Sequence, residues 1–193
     1  LSLCNKNFPN MNSNDSSKAK NDLLLDVCLA AKFEGESLIN YRAQYDAEYP
    51  SSGSTFTMCT MLARSFADIG DIVRGKDLYI RNKKKDKLDK NLKTIFGKIY
   101  EGLSRTATSG KKEEIEARYN GDKENYFFQL REDWWTANRE TVWKAITCDV
   151  KSGNNYFRQT CGDEKTGTLT PSQCRCNGDQ VPTYFDYVPQ FLR

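Results

Sequence analysis

The sequence contains no histidine at all. This absence excludes Ser-His and Cys-His nucleophile pairs, and it excludes most zinc sites other than an all-cysteine set. There is also no apolar run near the roughly 18 residues that a membrane-spanning helix needs, and the first residues lack a signal-peptide pattern. If the protein is secreted or anchored, those signals lie outside these residues. The absences argue against the commonest enzyme designs before any motif is considered.

Motifs for cofactor binding are missing as well. No phosphate-binding GxxxxGK[ST], dinucleotide-binding GxGxxG or zinc-protease HExxH occurs. We therefore expect a protein that is not an enzyme, with no catalytic residue, no cofactor and no metal. Asp68 and Asp71 have the chemistry of metal ligands, but a solvated or ion-paired helix face is the better interpretation of two carboxylates three residues apart.

Cysteine, in contrast, is abundant for a chain of 193 residues. The seven are Cys4, Cys28, Cys59, Cys148, Cys161, Cys174 and Cys176. A zinc site would need two close pairs, and only the last two are close, so disulfides formed in an oxidising compartment are the better interpretation. Buried reduced thiols are the alternative. The odd number suggests that at least one partner lies outside this sequence, and we interpret the chain as a fragment of a longer protein.

Spacing alone does not decide which cysteines pair. Our working hypothesis joins Cys4 to Cys28 and gives Cys59 a partner upstream of Leu1. It joins Cys148 to one of the later cysteines, namely Cys161, Cys174 or Cys176.

Positive charge is concentrated in one segment. Residues 74–98 contain ten basic and three acidic side chains, a net +7, which leaves −4 for the rest of a chain whose total is +3. A local positive patch attracts polyanions. The candidate ligand-binding side chains are Arg81, Lys83, Lys84, Lys85, Lys87 and Lys90. We place this cluster on a loop before a helix, where lysines act as point charges toward phosphates, sulfates or carboxylates; a solvated helix start is the alternative.

The cysteines narrow the choice of polyanion. Nucleic acid binds such clusters, but a disulfide framework argues against a reducing, nuclear setting. Sulfated sugar chains outside the cell fit both features, so we expect no nucleic-acid partner.

Apolar residues recur at helical spacing along much of the chain, and strand-like alternation is almost absent. The predicted helices cover residues 21–45, 58–74, 88–103, 113–119 and 130–146, with a polar loop at 104–112. The irregular segment 148–180 is expected to be held by disulfides. The expected core scaffold is Phe66, Ile69, Ile72, Trp134, Trp135 and Trp143. The predicted fold class is mainly α, a bundle of long amphipathic helices with disulfide-tied loops.

Several long motifs resemble a known family, and they occur in its order. They are LSLCNKNFPN (1–10), DVCLAAKFEGESL (26–38), ARSFADIGDIVRGKDLY (63–79), REDWWTANRETVWKAITC (131–148) and CRCNGDQVPTYFDYVPQFLR (174–193). They resemble the Duffy-binding-like domains, α class, of the variant erythrocyte membrane protein of malaria parasites. The resemblance covers nearly the whole chain. It departs at the ends, where the family's preceding cysteine and double-arginine motif and its helical third subdomain are missing.

The resemblance implies a helical fold and a place in a larger domain. Residues 1–55 would end the first subdomain, and residues 56–193 would form most of the second. It implies adhesion on the extracellular face of the infected red cell, with the membrane anchor and neighbouring domains outside this chain. The implied ligands, in rosetting and cytoadherence, are heparan sulfate-like chains, blood-group sugars and complement receptor, and variation of exposed loops would serve antigenic escape.

Two other functions compete with adhesion through a basic surface. A structural spacer that presents decoy loops beside a receptor-binding domain would bind no ligand by itself. Recognition of a protein receptor through an apolar patch would tolerate salt, whereas binding through charge contacts would weaken as salt rises.

Overall fold

The computed structural model describes residues 19–49, 57–78, 83–124, 126–152, 159–162, 165–178 and 180–193, with only the backbone at 83–86. The helices are α1 (Ala19–Glu48), α2 (Met58–Arg74), α3 (Lys83–Thr106), α4 (Ser109–Arg118) and α5 (Phe128–Ile146), followed by two short 3-10 helices at Phe185–Tyr187 and Gln190–Leu192. The described part of the chain contains no strand, only two isolated bridges. The predicted mainly α fold is confirmed. The predicted loop at 104–112 is wrong, since only residues 107 and 108 separate α3 from α4.

One apolar core joins α1, α2, α3 and α5. Five of the six expected scaffold residues are buried, and Ile72 is half-buried against the core. The Phe66 ring lies 5.1 Å from both Trp135 and Trp143 between ring centroids. Tilted and edge-on aromatic contacts of this kind stabilise a core beyond their buried area. The tryptophans of α5 are therefore packing groups and do not face a ligand.

Helix α2 begins and ends at the capping residues that its sequence provides, Thr57 and Gly75. The Thr57 side chain accepts a hydrogen bond from the Thr60 backbone N–H at 3.3 Å, which satisfies a free donor of the first turn. Gly75 ends the helix in the left-handed conformation, with φ of 73°. The Lys76 N–H then reaches back to the Asp71 carbonyl at 2.8 Å. The helix predicted over 58–74 is confirmed.

Helices α1 and α5 cross closely at Gly35. A Cβ atom at this position would lie 2.1 Å from the carbonyl oxygen of Ile146. Beside it, the buried Glu34 accepts a hydrogen bond from the Ser65 hydroxyl at 3.0 Å, which ties α1 to α2. The FEGESL motif is thus explained by packing, because only glycine lets the two backbones approach this closely.

Replacing Gly35 with alanine is expected to destabilise the fold by roughly 1–3 kcal/mol, since the two helices must move apart. Gly97→Ala provides a matched control within α3, because its Cβ would meet Phe127 at an ordinary 3.6 Å. The control is expected to be neutral or stabilising through helix propensity alone. Urea unfolding of both variants measures the difference. Equal stability of the two would contradict the close crossing.

Four cysteines form two disulfides, Cys59–Cys174 and Cys161–Cys176. The predicted upstream partner for Cys59 is wrong, because Cys59 lies on the buried face of α2 and meets Cys174 in the core. All three partners suggested for Cys148 are therefore taken, and Cys148 is an exposed free thiol at the end of α5.

The predicted pairing of Cys28 with Cys4 is not formed in the structure, although Cys4 itself lies outside the described residues. Cys28 itself carries a free thiol on α1, and burial raises its pKa to about 11. Such a thiol is almost entirely protonated at neutral pH and reacts slowly.

The boundary expected at residue 55 separates α1 from the other helices. In the structure α1 contributes Leu23, Val27, Ala30 and Ala31 to the common core. The division into two subdomains stays a prediction.

Candidate functional site

Helix α3 presents a sharply two-sided surface. Its buried side consists of Leu88, Leu92, Ile95, Phe96 and Ile99. Lys87 and Lys90 lie on the opposite side and are exposed. Because the apolar residues repeat every three or four positions, the helix must turn these lysines to solvent when it joins the core.

The lysine cluster occupies the first turns of α3. Lys83, Lys84 and Lys85 lie within the helix, so the expected loop placement of the cluster is wrong for these residues, while Arg81 lies outside the described residues. A helix N-terminus carries partial positive charge, and cations there cost stability, each about 0.3–1 kcal/mol. Helix stability therefore does not explain the lysines. Their charge and that of the helix end add together, which favours an anion.

Asp89, which lies between Lys87 and Lys90 in the sequence, is partly neutralised by a buried arginine. Asp89 accepts from Arg131 at 3.5 Å, and this arginine is almost completely buried. Burial lowers the Arg131 pKa, and the Asp89 carboxylate opposes that shift. Arg131 also donates to the backbone carbonyls of Val73 at 2.6 Å and Ile72 at 3.3 Å. The arginine thus holds the end of α2, fixes α3 beside α5 and compensates part of the acidic charge between the lysines.

Lys93 extends the basic surface toward the α4–α5 connection. Its ammonium lies 3.8 Å from the ring centroid of Tyr126, which is itself half-exposed. A cation held over an aromatic ring loses less freedom when a ligand arrives than a lysine that moves freely in water. Together, Lys87, Lys90 and Lys93 form what we call the α3 basic face.

A second charged cluster lies inside the protein, where no sequence pattern predicted one. Arg74 is almost fully buried, donates to Asp71 at 3.0 Å and also donates to the Asp186 carbonyl. Asp71 and Asp68 both accept from Arg193. The two carboxylates therefore form an ion-paired helix face, as one of the interpretations held, although they are buried rather than solvated.

The C-terminal segment completes this cluster with one buried carboxylate. Asp186 accepts from the Trp135 indole N–H at 2.9 Å and from Arg139 at 2.8 Å through both carboxylate oxygens. Each charged group of this cluster is paired with another group of the chain, as in a structural ion-pair network and unlike an open binding site. We call this network of Arg74, Asp68, Asp71, Arg139, Asp186 and Arg193 the buried clasp. The sequence does place arginine and aspartate inside otherwise apolar motifs, which indicates buried charges. Which of these charges pair with each other depends on the tertiary fold.

Two further features bear on function. None of the described helices is long and apolar enough to cross a membrane. Among the described residues, no group of three or more cysteine, aspartate or glutamate side chains is placed to hold a metal ion.

A family model and several solved structures relate this chain to the same family of proteins. The family model described as the Duffy binding domain matches residues 1–193. The chain is similar to the N-terminal NTS-DBL1-alpha and CIDR-gamma double domain of PfEMP1 from the Plasmodium falciparum varO strain, with 41% identity and a TM-score of 0.73, covering 98% of this chain and 25% of that one. The NTS-DBL1(alpha-1) domain of the same strain gives the same values with 39% of its length covered.

A PfEMP1 DBLbeta domain described as ICAM-1-binding is also similar, with 32% identity and a TM-score of 0.68, over 98% of this chain and 39% of that one. No curated protein matches the chain. The chain thus spans between a quarter and about two-fifths of the length of these solved relatives.

Proposed function

The chain belongs to the Duffy binding domain family of the PfEMP1 type, and from that premise we propose that it is a non-enzymatic adhesion domain of the infected red-cell surface that binds sulfated or sialylated glycans through the α3 basic face. Its identity is higher to the DBL1-alpha structures than to the DBLbeta structure. Domains of this family bind host molecules, and a relative of 30% identity is described as bound to ICAM-1.

The observation that carries the proposal is the position of the lysines. Lys87 and Lys90 are exposed on the side of α3 that faces away from the core, and they follow three lysines of the first turn, where positive charge is unfavourable for the fold. Asp89, which would otherwise neutralise them, is engaged by the buried Arg131. A polyanion would therefore meet a preformed surface of positive charge, held rigid by a helix that packs along its whole apolar side.

The linear arrangement favours an extended ligand over a compact one. Lys87, Lys90 and Lys93 follow each other at three-residue steps and extend over about 9 Å of α3, at 1.5 Å rise per residue. A chain of repeated sulfate groups can contact them together, whereas a single sialic acid carboxylate contacts one or two. We accordingly place heparan sulfate-like chains before blood-group sugars as the ligand of this face.

The double substitution Lys87→Glu/Lys90→Glu is expected to weaken binding to immobilised heparin and to uninfected red cells at least about tenfold at physiological salt. The effect should shrink as salt rises, because screening removes the contribution of these charges. The matched control is Lys111→Glu/Lys112→Glu, which changes the net charge equally on the exposed surface of α4. Heparin affinity chromatography and a red-cell binding assay across a salt series measure both variants.

An equal loss in both variants would mean that net charge alone causes binding, and unchanged binding in both would make the basic face a solvated helix surface. Binding to a host protein that persists at high salt would favour the second candidate, a protein receptor, for which the ICAM-1-bound relative is the precedent. No binding by the folded wild-type domain would favour the spacer function.

A further inference from the structure

Helix α1 extends well beyond the core. Its last buried residue is Gly35, and Leu38 and Ile39 are only partly buried against the core. Residues 36–49, which we call the α1 arm, comprise the end of the helix, about 20 Å at 1.5 Å per residue, and Tyr49 directly after it. A helical segment of this length is marginal in water without packing. Tyr41 and several of its neighbours are exposed along this arm, so an additional element that packs on them would stabilise it.

Tyrosines form a ladder along one side of the arm. Tyr41, Tyr45 and Tyr49 follow each other at four-residue steps, with ring centroids 6.5 Å and 5.1 Å apart. Tyr41 is 60% and Tyr49 is 49% exposed. A row of side chains at four-residue spacing is the ridge that fits the groove of another helix. Tyrosine also supplies a large contact area with few rotatable bonds, and is enriched at protein interfaces.

The charge of the arm limits what can bind it. Its acidic residues are Glu36, Asp46 and Glu48, and its one basic residue, Arg42, binds Asp46 at 2.8 Å. The net charge is therefore −2, and no lysine is present. Glu48 is three residues after Tyr45 and seven after Tyr41, so it shares the side of the ladder. Such a surface repels sulfated and sialylated glycans, which are the ligands proposed for the α3 basic face.

We propose that the α1 arm is a docking surface for a basic helix of a partner protein, in which lysine or arginine side chains lie over the tyrosine rings and approach Glu48. Cations bind over aromatic faces, and a neighbouring carboxylate strengthens the attraction. The tyrosine ridge is the reason to expect a helix as the partner, and the negative charge of the arm is the reason to expect that this helix is basic. The domain then has two recognition surfaces of opposite charge on different helices, and this surface does not depend on the α3 basic face.

The test uses the oxidised chain and a synthetic amphipathic helical peptide that carries lysine and arginine on one side, with a glutamate version of the same peptide as the comparison. Binding is followed by fluorescence anisotropy. The variant Tyr41→Ala/Tyr45→Ala leaves every charge in place, and we expect it to bind the basic peptide about tenfold more weakly. Tyr41→Phe/Tyr45→Phe keeps the rings and should remain close to the wild type.

Two controls keep the experiment specific. Tyr184→Ala removes a tyrosine of similar exposure from another part of the surface and should leave binding unchanged. Circular dichroism and heparin binding of the arm variants should equal those of the wild type, because the arm lies outside the core and apart from α3. Retained heparin binding also separates failure of this inference from failure of the proposed function.

Three results would overturn the inference. The acidic peptide could bind as well as the basic one, the alanine variant could bind as well as the wild type, or sedimentation could show self-association of the chain that the alanine variant abolishes. The last result would make a second copy of the domain the occupant of the arm.

Discussion

Replacing both Cys59 and Cys174 with alanine is expected to cost about 4–5 kcal/mol of unfolding free energy, the largest single effect in this chain. The bond closes a loop of 115 residues, from the first turn of α2 to the C-terminal segment. Cross-linking so distant residues removes many conformations from the unfolded chain. Both cysteines are fully buried, so the change also leaves a cavity in the core. Because a whole domain has a stability of about 5–15 kcal/mol, we expect the variant to be largely unfolded at 37 °C.

The second disulfide provides the internal comparison. Cys161–Cys176 closes a loop of only 15 residues, for which the same reasoning gives about 3 kcal/mol. Cys148→Ala, at an exposed free thiol, should have almost no effect. Guanidinium unfolding under non-oxidising, non-reducing conditions would rank the three variants, and peptide mapping of the unreduced wild type would check the pairing. A smaller loss for the long loop than for the short one would contradict this account.

Substituting Asp186 with alanine is expected to destabilise the fold by about 3–5 kcal/mol, because it breaks a buried ion pair from one side. Arg139 would keep its charge without the bidentate partner, and the Trp135 indole N–H would lose its acceptor in the core. Asp186→Asn keeps an acceptor oxygen but not the charge, so its cost should be smaller, about 1–3 kcal/mol. Thermal and urea unfolding of the two variants would give the order.

A surface ion pair of similar geometry serves as the control for this prediction. Asp133 accepts from Arg118 at 2.6 Å and 2.7 Å, and these hydrogen bonds lower the pKa of its carboxyl. Arg118 is exposed and Asp133 is only partly buried, although it also accepts from Tyr119 and Gln129. Asp133→Ala should therefore cost clearly less stability than Asp186→Ala. If Asp133→Ala and Asp186→Ala proved equally costly, burial would not be the reason for the effect at Asp186.

The helices of this chain were predictable wherever local signals agreed. In α2 the apolar spacing, the hydroxyl at Thr57 and the stop at Gly75 all coincide, and the bounds were correct. At α5 the cap is not local, because the buried Asp122 carboxylate accepts from the backbone N–H groups of Gln129 and Leu130 at 2.9 Å and 3.0 Å. The true start at Phe128 therefore required knowledge of how residues 122–127 fold back onto the helix.

For the candidate site and the disulfides, too, only the part that local spacing determines was predictable. The outward side of α3 followed from the apolar spacing, but the buried Arg131 beneath Asp89 did not, because it joins residues 42 positions apart. The disulfide pairs could not be derived either, since they depend on how the C-terminal segment returns to α2. The spacing of Asp68 and Asp71 on one helix predicted an ion-paired face. It did not predict that their partner is Arg193, which is more than 120 residues away in the sequence.

The buried clasp also determines when folding can be completed. Arg74 reaches the Asp186 backbone across 112 residues, and Arg193 reaches Asp71 across 122. At a synthesis rate of about 5–20 residues per second, α2 waits on the order of ten seconds for these partners. During that time its charged groups must stay in water, so α2 cannot bury its full surface against the earlier helices. Contacts this distant in sequence slow folding, and residues 186–193 must therefore be synthesised before the buried cluster around Arg74 and Asp71 can form.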